Sequence, residues 1–350
     1  MEKVLTCGAM AAVLLCAAAC SSKTEAPKEP VVADLTSTPW QLEGDPVIGR
    51  PLSLTRAGDY FVVTDNKTDS VFHLINIPEA TYIGQFGRIG QGPGDFSNVT
   101  LVSDAPGKGN SFRLLDGNST VYYEAKIDAS GHPKYTRLAK FENAWYVAPL
   151  ATGEYVTTNG YVEWPELFTV YSPDGTLRYS GGDRMVPEEY RDIAPVHLTA
   201  AYQYDIETSP DGKHLVAVGS GEAAGFYRLE NDSLVLVSQF ADSYPDHVFE
   251  NGIYYGQRVS KGAPRGFVDS SCTDDAVYIL CSDRPVNMPK EQGDNYSGNI
   301  IYVYDWDGNK TAEYHLDKYV RLISAPDSDG RIYAVHQDLC DPEFIYFTLP

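Results

Sequence analysis

Among the side chains of this 350-residue chain whose types hold a divalent ion or move a proton, His197, Asp205, His247 and Asp269 are candidates by their place near the starts of apolar runs. Carboxylates and imidazoles that converge on one point can bind Ca²⁺ or Zn²⁺, polarise a carbonyl or activate water. None of the four stands in a recognisable ligand spacing, and the chain has neither CxxC nor HxxxH. No GxSxG is present, which removes the usual nucleophile turn of a serine hydrolase. Gly87-Arg88-Ile89-Gly90-Gln91-Gly92 is the nearest approach to a phosphate cradle, but no helical pattern follows it. Ser-Pro-Asp-Gly at 172–175 and again at 209–212 is hairpin-turn chemistry rather than a Ca²⁺ loop.

Recognition chemistry is better supplied. Arg88, Arg184, Tyr190, Arg191, Tyr244, His247, Tyr254, Tyr255, Arg258, Arg265, Arg284 and Tyr296 all fall in long segments between regular runs. Tyr and Arg combine large contact area with a polar handle, and they dominate interface energetics. Tyr faces stack on sugars, and Arg forks take carboxylates. From this group Arg88, Tyr190, Arg191, His247, Tyr254, Tyr255, Arg258 and Arg284 are the candidate ligand- or partner-binding residues. The competing reading is that the arginines pair internally with Glu188, Glu189, Asp192 or Asp246. With 27 Lys+Arg against 48 Asp+Glu the formal charge is −21, a field that repels polyanions and excludes a general nucleic-acid binder. The same acidity, in a chain with 25 Tyr, 13 Phe and 4 Trp, is not that of a disordered acidic tail.

The elements that must position these residues are short strands in a repeat. An apolar strand, a tight turn and a second apolar strand ending in a polar residue recur six times, at 52–65, 100–116, 146–159, 205–219, 267–283 and 322–338. The turn centres Gly58, Gly109, Gly153, Gly212, Asp275 and Gly330 lie about 54 residues apart on average. A second hairpin type alternates with the first at 71–86, 121–141, 167–181, 226–240 and 300–316, five times in all. After the sixth hairpin of the first type only one strand, 344–350, remains. Five complete A–B–C–D units and one that lacks its D strand predict an all-β, six-bladed β-propeller with four-stranded blades. The N-terminal strand, Ser37–Leu42, closes the ring by completing the last blade and so removes an open edge. A sandwich or jelly roll explains neither the period nor the missing strand. The long segments 87–98, 181–203, 241–264 and 284–299 all fall on D–A or B–C connections, which share one rim of a propeller. That rim is the expected binding face.

The first residues read as an address. Val4–Ala19 is uncharged and mostly apolar or small, too short for a bilayer span and suited to a signal-peptide core. It ends Ala17-Ala18-Ala19-Cys20, which resembles a bacterial lipobox. The resemblance implies lipidation at Cys20, two or three acyl chains and stable membrane anchoring. Residues 1–19 are then a lipoprotein signal peptide, 20–35 a flexible tether and 36–350 the propeller. Ser21 follows the Cys where a retention signal would place Asp, so the resemblance implies a cell-envelope, lipid-anchored protein on the outer membrane. Cys272, Cys281 and Cys340 remain, an odd number that permits at most one disulfide, with buried free thiols as the alternative.

GQFGRIGQGPGDF (84–96) resembles the Gly-rich signature between blades of NHL-type propellers. The apolar–apolar–x–Asp run of those propellers is similar to VVTDNKTDSVFHL (62–74), LLDGNSTVYY (114–123) and AVHQDLC (334–340). Together with the lipobox, the chain resembles the TolB-like six-bladed propeller lipoproteins of Gram-negative anaerobes over about residues 36–350. Blades 3 to 5 depart from the run: Asn159 replaces Asp, Gly219 stands where Asp is expected, and blade 5 carries a long insertion. The Tyr- and Arg-rich long loops and the lack of a ligand spacing lead to the expectation of a non-catalytic binding or scaffold module for a protein or glycan partner, with no catalytic residues, resident metal or cofactor. The alternative it leaves open is a periplasmic metal-dependent hydrolase or lyase, lactonase-like, with Ca²⁺ in the central channel.

Overall fold

The computed structural model describes residues 29–44, 46–65, 70–92, 94–105, 107–158, 165–245, 247–257, 264–338 and 341–350, with the side chains of Leu101, Tyr255 and Gln257 excepted. Residues 1–28, which include the stretch expected to be a signal peptide and Cys20, lie outside the described residues, as do Arg258 and Cys340.

Six antiparallel sheets follow one another along the chain. Blade 1 is Pro51–Ala57, Tyr60–Asp65, Ser70–Asn76 and Thr81–Arg88. Blade 2 is Val99–Asp104, Ser111–Asp116, Val121–Ile127 and Pro133–Lys140, and blade 3 is Tyr146–Pro149, Tyr155–Thr158, Phe168–Tyr171 and Leu177–Gly181. Blade 4 is Tyr204–Thr208, His214–Gly219, Glu222–Glu230 and Ser233–Ser243, and blade 5 is Pro264–Cys272, Ala276–Pro285, Gly298–Asp305 and Lys310–Val320. Blade 6 takes Leu322–Ile323, Arg331–His336 and Glu343–Thr348 from the C-terminus. Its fourth strand is Thr38–Pro39, paired antiparallel with Thr38 opposite Tyr346 and Pro39 opposite Ile345. Each innermost strand touches the innermost strand of the next blade, and that of blade 6 returns to blade 1, so the ring is closed.

The core is divided into six apolar clusters, each between two adjacent blades. Both faces of a blade are therefore covered. This is why the B strands read as continuous apolar runs: Tyr60–Asp65 is buried at every position, with Phe61, Val62 and Val63 at 0 % exposure. The D strands lie outermost and alternate, as in the half-exposed Ser233–Ser243. At the closing seam Trp40 packs edge-on against Tyr333 with centroids 4.9 Å apart, joining the N-terminal segment to blade 6.

One boundary differs from the sequence reading. Val31–Leu35, assigned there to the tether, is a strand paired parallel with Lys310–Val320, from Val31 opposite Ala312 to Leu35 opposite Leu316. The D strand of blade 5 presents an edge of unpaired backbone groups, and this segment covers it. Ala33 and Leu35, two apart on one face, pack against the core between blades 5 and 6. Ser37 then fixes the crossing to blade 6 by donating its backbone N–H to Asp317 Oδ1 at 2.9 Å.

The Gly-rich stretch at 84–96 begins midway along the D strand Thr81–Arg88 and leads on toward blade 2. Gly87 has φ +72°, and a Cβ there would lie 2.6 Å from the Phe72 ring. The stretch brings buried Phe96 against Phe72 and Tyr135, at centroid distances of 6.0 and 5.0 Å. Among the described residues no helix is long and apolar enough to cross a membrane.

Candidate functional site

The six A strands enclose a channel of about 310 Å³ on the ring axis. Side chains alternate along a strand, so residues two apart share the channel face. Asp205 and Glu207 of blade 4 do so, with Asp104 from blade 2 and Asp269 from blade 5. These carboxylates tie blades together. Ser270 Oγ donates to Glu207 Oε1 at 2.5 Å across the seam of blades 4 and 5. Asp269 Oδ2 accepts the Ile323 backbone N–H at 2.7 Å across the seam of blades 5 and 6. Tyr146 of blade 3 is the hydrogen-bond partner of Asp205. Thr55 Oγ1 donates to the Val102 carbonyl at 3.1 Å between blades 1 and 2.

Asp104 and Asp205 are open to the channel yet ringed by protein, which disfavours their ionised forms. Burial pushes Asp104 up to about 6, opposed by Arg113, and Asp205 up to about 6, opposed by Tyr146. Burial pushes Glu207 up to about 7, with the Ser270 hydrogen bond acting against it and the charges of Asp104 and Asp205 adding to it. Burial, with Glu207 and Asp205 nearby, raises Asp269 well above the usual carboxylate range. Cys272 donates its thiol to the Thr208 carbonyl at 3.1 Å, and burial beside Glu207 raises it too, which keeps it a thiol and a poor nucleophile.

Asp205 and Asp269 thus meet in the channel, whereas His197 and His247 are not among its lining residues. Among the described residues no three His, Cys, Asp or Glu side chains form a group that could hold a metal ion. The channel arrangement performs inter-blade hydrogen bonding. Asp104 and Glu207 were not singled out from sequence. Their signal was a polar residue on the innermost strand of a repeat unit, where the channel rather than bulk water lies opposite.

The loop residues gather on the D–A/B–C rim. The segment after blade 3 carries the helix Pro195–Ala201, and the segment after blade 4 carries an extra hairpin, His247–Glu250 with Ile253–Gln257. The two co-fold through rings. Tyr190 lies 4.8 Å from Phe249, and His247 lies 4.8 Å from Tyr202 and 5.2 Å from Tyr254, between centroids. Tyr255 lies in that hairpin's second strand. The arginines are largely engaged inside the protein. Buried Arg184 donates to the Tyr202 carbonyl at 2.8 Å and the Glu166 carbonyl at 3.2 Å. Arg191 pairs with Glu188 at 2.6 Å. Arg284 makes a two-pronged contact with Asp338, at 2.7 and 2.9 Å, and lies 3.6 Å above the Tyr319 ring. Arg265 lies 3.9 Å above Tyr296, while Arg88 stands exposed at the end of blade 1.

This rim leaves several apolar side chains to solvent, among exposed charges such as Arg88, Glu188, Asp192, Glu250 and Glu291. Val47 (71 %), Ile89 (46 %), Ile253 (46 %), Tyr296 (41 %) and Tyr244 (36 %) are exposed on its loops, and Leu52 (43 %) stands where the first A strand enters from it. The other large apolar residues left exposed, Val31, Val32, Leu177, Val235 and Leu236, lie on outermost strands away from this rim, and isolated exposed apolar residues are ordinary.

The Asp of the apolar–apolar–x–Asp run proves to be a loop clamp. Asp65 accepts the backbone N–H groups of Gly49 and Arg50 at 2.6 and 3.1 Å. Asp116 accepts those of Ser97 and Asn98, both at 3.0 Å, and the Ser97 hydroxyl. In blade 4 Gly219 replaces the Asp because the Tyr204 ring fills the space: a Cβ on Gly219 would lie 2.4 Å from that ring. Tyr204 takes over the clamp by donating its hydroxyl to the Met185 carbonyl at 2.7 Å. Cys272 and Cys281 are free thiols.

A family model described as TolB-like 6-blade propeller-like matches residues 42–327. No curated protein matches the chain. Among solved structures the chain is similar to a Bacteroides fragilis protein described as exported, at 12 % identity over 90 % of this chain and 94 % of that one, with a TM-score of 0.56. It is also similar to the Cps50 (Swd1) β-propeller domain of Myceliophteria thermophila, at 10 % identity over 86 % and 84 % of the two chains, with a TM-score of 0.47.

Proposed function

This chain belongs to the TolB-like six-bladed propeller family, and from that premise we propose that it is a non-catalytic recognition module, lipid-anchored through Cys20 in the cell envelope and binding a partner on its D–A/B–C rim. The observation that carries this reading is the apolar exposure of that rim at Val47, Ile89, Tyr244, Ile253 and Tyr296. Aliphatic side chains there favour a protein partner over a glycan, which would ask for flat, open aromatic platforms. The insertions support the same reading, because their aromatic packing presents Tyr244 and Ile253 from an ordered projection. The arginines support the projection rather than the partner, since Arg184, Arg191 and Arg284 hold its loops in place.

The enzyme alternative has less behind it. Three of the four channel carboxylates, Asp205, Glu207 and Asp269, are engaged in inter-blade hydrogen bonds, and the thiol of Cys272 beside them is held protonated. The test is capture from envelope extracts with the wild type, a Tyr244→Ser/Ile253→Ser/Tyr296→Ser variant and a Leu177→Ser control on the opposite rim. Loss of the captured partner with the triple variant alone is the expected result. Equal capture by all three contradicts it, and capture of polysaccharide in place of protein turns the reading to a glycan.

A further inference from the structure

The direction in which the chain enters the ring says which face meets the membrane. The D strand of blade 5 begins after the Asp305–Asn309 turn, so Lys310 lies at the A–B/C–D rim and Val320 at the D–A/B–C rim. Val31–Leu35 runs parallel to it, with Val31 opposite Ala312. The described chain therefore enters the domain beside the tight-turn rim, on the side opposite the insertions. We infer that the ring is mounted with its tight A–B/C–D turns toward the membrane and its insertion-bearing D–A/B–C rim facing away from it. This rests on the lipid-anchor reading of Cys20.

The dimensions decide in favour of that mounting. Ten residues lie between Cys20 and Val31, eleven backbone steps, and a random-coil chain of eleven steps spans ~18 Å on average. At blade 5, where the chain enters and whose A strand has 9 residues, the longest of the A strands in the ring, the two rims lie ~30 Å apart. Bringing the insertion rim to the lipid would stretch the tether along the whole side of the ring, close to its limit of ~38 Å. Charge sets the standoff. The residues that make the tight turns are largely carboxylates, exposed at Asp59, Asp174, Asp232, Asp274, Asp275 and Asp329. These carboxylates outnumber the exposed Lys108 and Lys213 of the same turns, which weakens adhesion of this rim to anionic headgroups. The ring stands off at tether length, and the apolar rim is presented to partners away from its own membrane.

The experiment uses the full lipidated protein in vesicles of phosphatidylethanolamine and phosphatidylglycerol at a 3:1 ratio, roughly the charge density of an anionic bacterial leaflet. A donor dye is attached through an azide-bearing residue at Asp274 or at Glu291, exposed positions on opposite rims of blade 5. The acceptor is a headgroup-labelled lipid. Donors at Asp274 are expected to show roughly twofold or more greater energy transfer than donors at Glu291, given a ~30 Å rim separation and a ~18 Å tether. Equal or reversed transfer from vesicle-bound protein overturns the mounting alone. Protein that fails to sediment with vesicles overturns the anchor reading, and the mounting with it.

Discussion

Ser270 Oγ donates a hydrogen bond of 2.5 Å to Glu207 Oε1, joining the innermost strands of blades 4 and 5 inside the channel. Burial pushes Glu207 up to about 7, and Asp104 and Asp205 up to about 6. A carboxyl group whose folded pKa is raised binds its proton more tightly in the folded than in the unfolded chain. Stability from these groups therefore falls as pH rises from the unfolded range near ~4 to ~7, and the penalty is complete above that. Glu207→Gln keeps the hydrogen bond and removes the charge. Thermal unfolding at pH 8 is expected to rise by a few degrees in that variant and to match wild type near pH 5. A variant less stable than wild type at pH 8 would contradict the channel electrostatics.

Asp116 has the opposite sign. Burial alone would raise it, but the Ser97 hydroxyl and the Ser97 and Asn98 amides outweigh burial and hold it below the usual range. Its contribution is present above the usual carboxylate range and is lost as pH falls through the folded value. Asp116→Ala leaves the Ser97 and Asn98 amides without their carboxylate, and is expected to cost about 2–3 kcal/mol in urea unfolding at pH 7. A cost under about 0.5 kcal/mol would show that the loop does not depend on the clamp.

Gly219→Ala tests the replacement of that clamp in blade 4. The added methyl meets the Tyr204 ring, and a crowded core of this kind costs about 1–3 kcal/mol. Tyr204→Phe, which removes only the hydrogen bond to Met185, is expected to cost about 1 kcal/mol. If Gly219→Ala unfolds at the wild-type denaturant midpoint, Tyr204 is not what excludes the Asp.

Arg284→Lys keeps the charge but loses both the fork on Asp338 and the stacking on Tyr319. The 284–299 segment is expected to become more susceptible to limited proteolysis, with the cuts confined to it. Unchanged cleavage would mean that Arg284 is not what secures this loop.

The period of the strands, the deficit of one strand at the end and the clustering of long loops on one rim were all legible, because each follows from local turn chemistry and counting. The Val31–Leu35 strand was not. Its five residues pair only because the D strand of blade 5 is long enough to offer them an edge, and that length is a tertiary fact. Glu207 and Asp104 were missed for a related reason. A polar residue alternating along a strand usually faces bulk solvent, and in a ring the solvent side of the innermost strand is an enclosed channel. The arginines were legible by position and not by use: Arg284 finds its carboxylate at Asp338, 54 positions away, which spacing along the chain does not reveal. Exposed Val47 and Ile253, which carry much of the proposed surface, have no motif at all.

The most direct measurement of the recognition claim is photo-crosslinking in the native envelope, with a photoreactive residue placed at Tyr244 or Tyr296 on the insertion rim, or at Leu177 near the opposite one. The account predicts a discrete protein adduct from Tyr244 and Tyr296 and none from Leu177. Adducts from Leu177 alone, or the same adducts from all three positions, would contradict it.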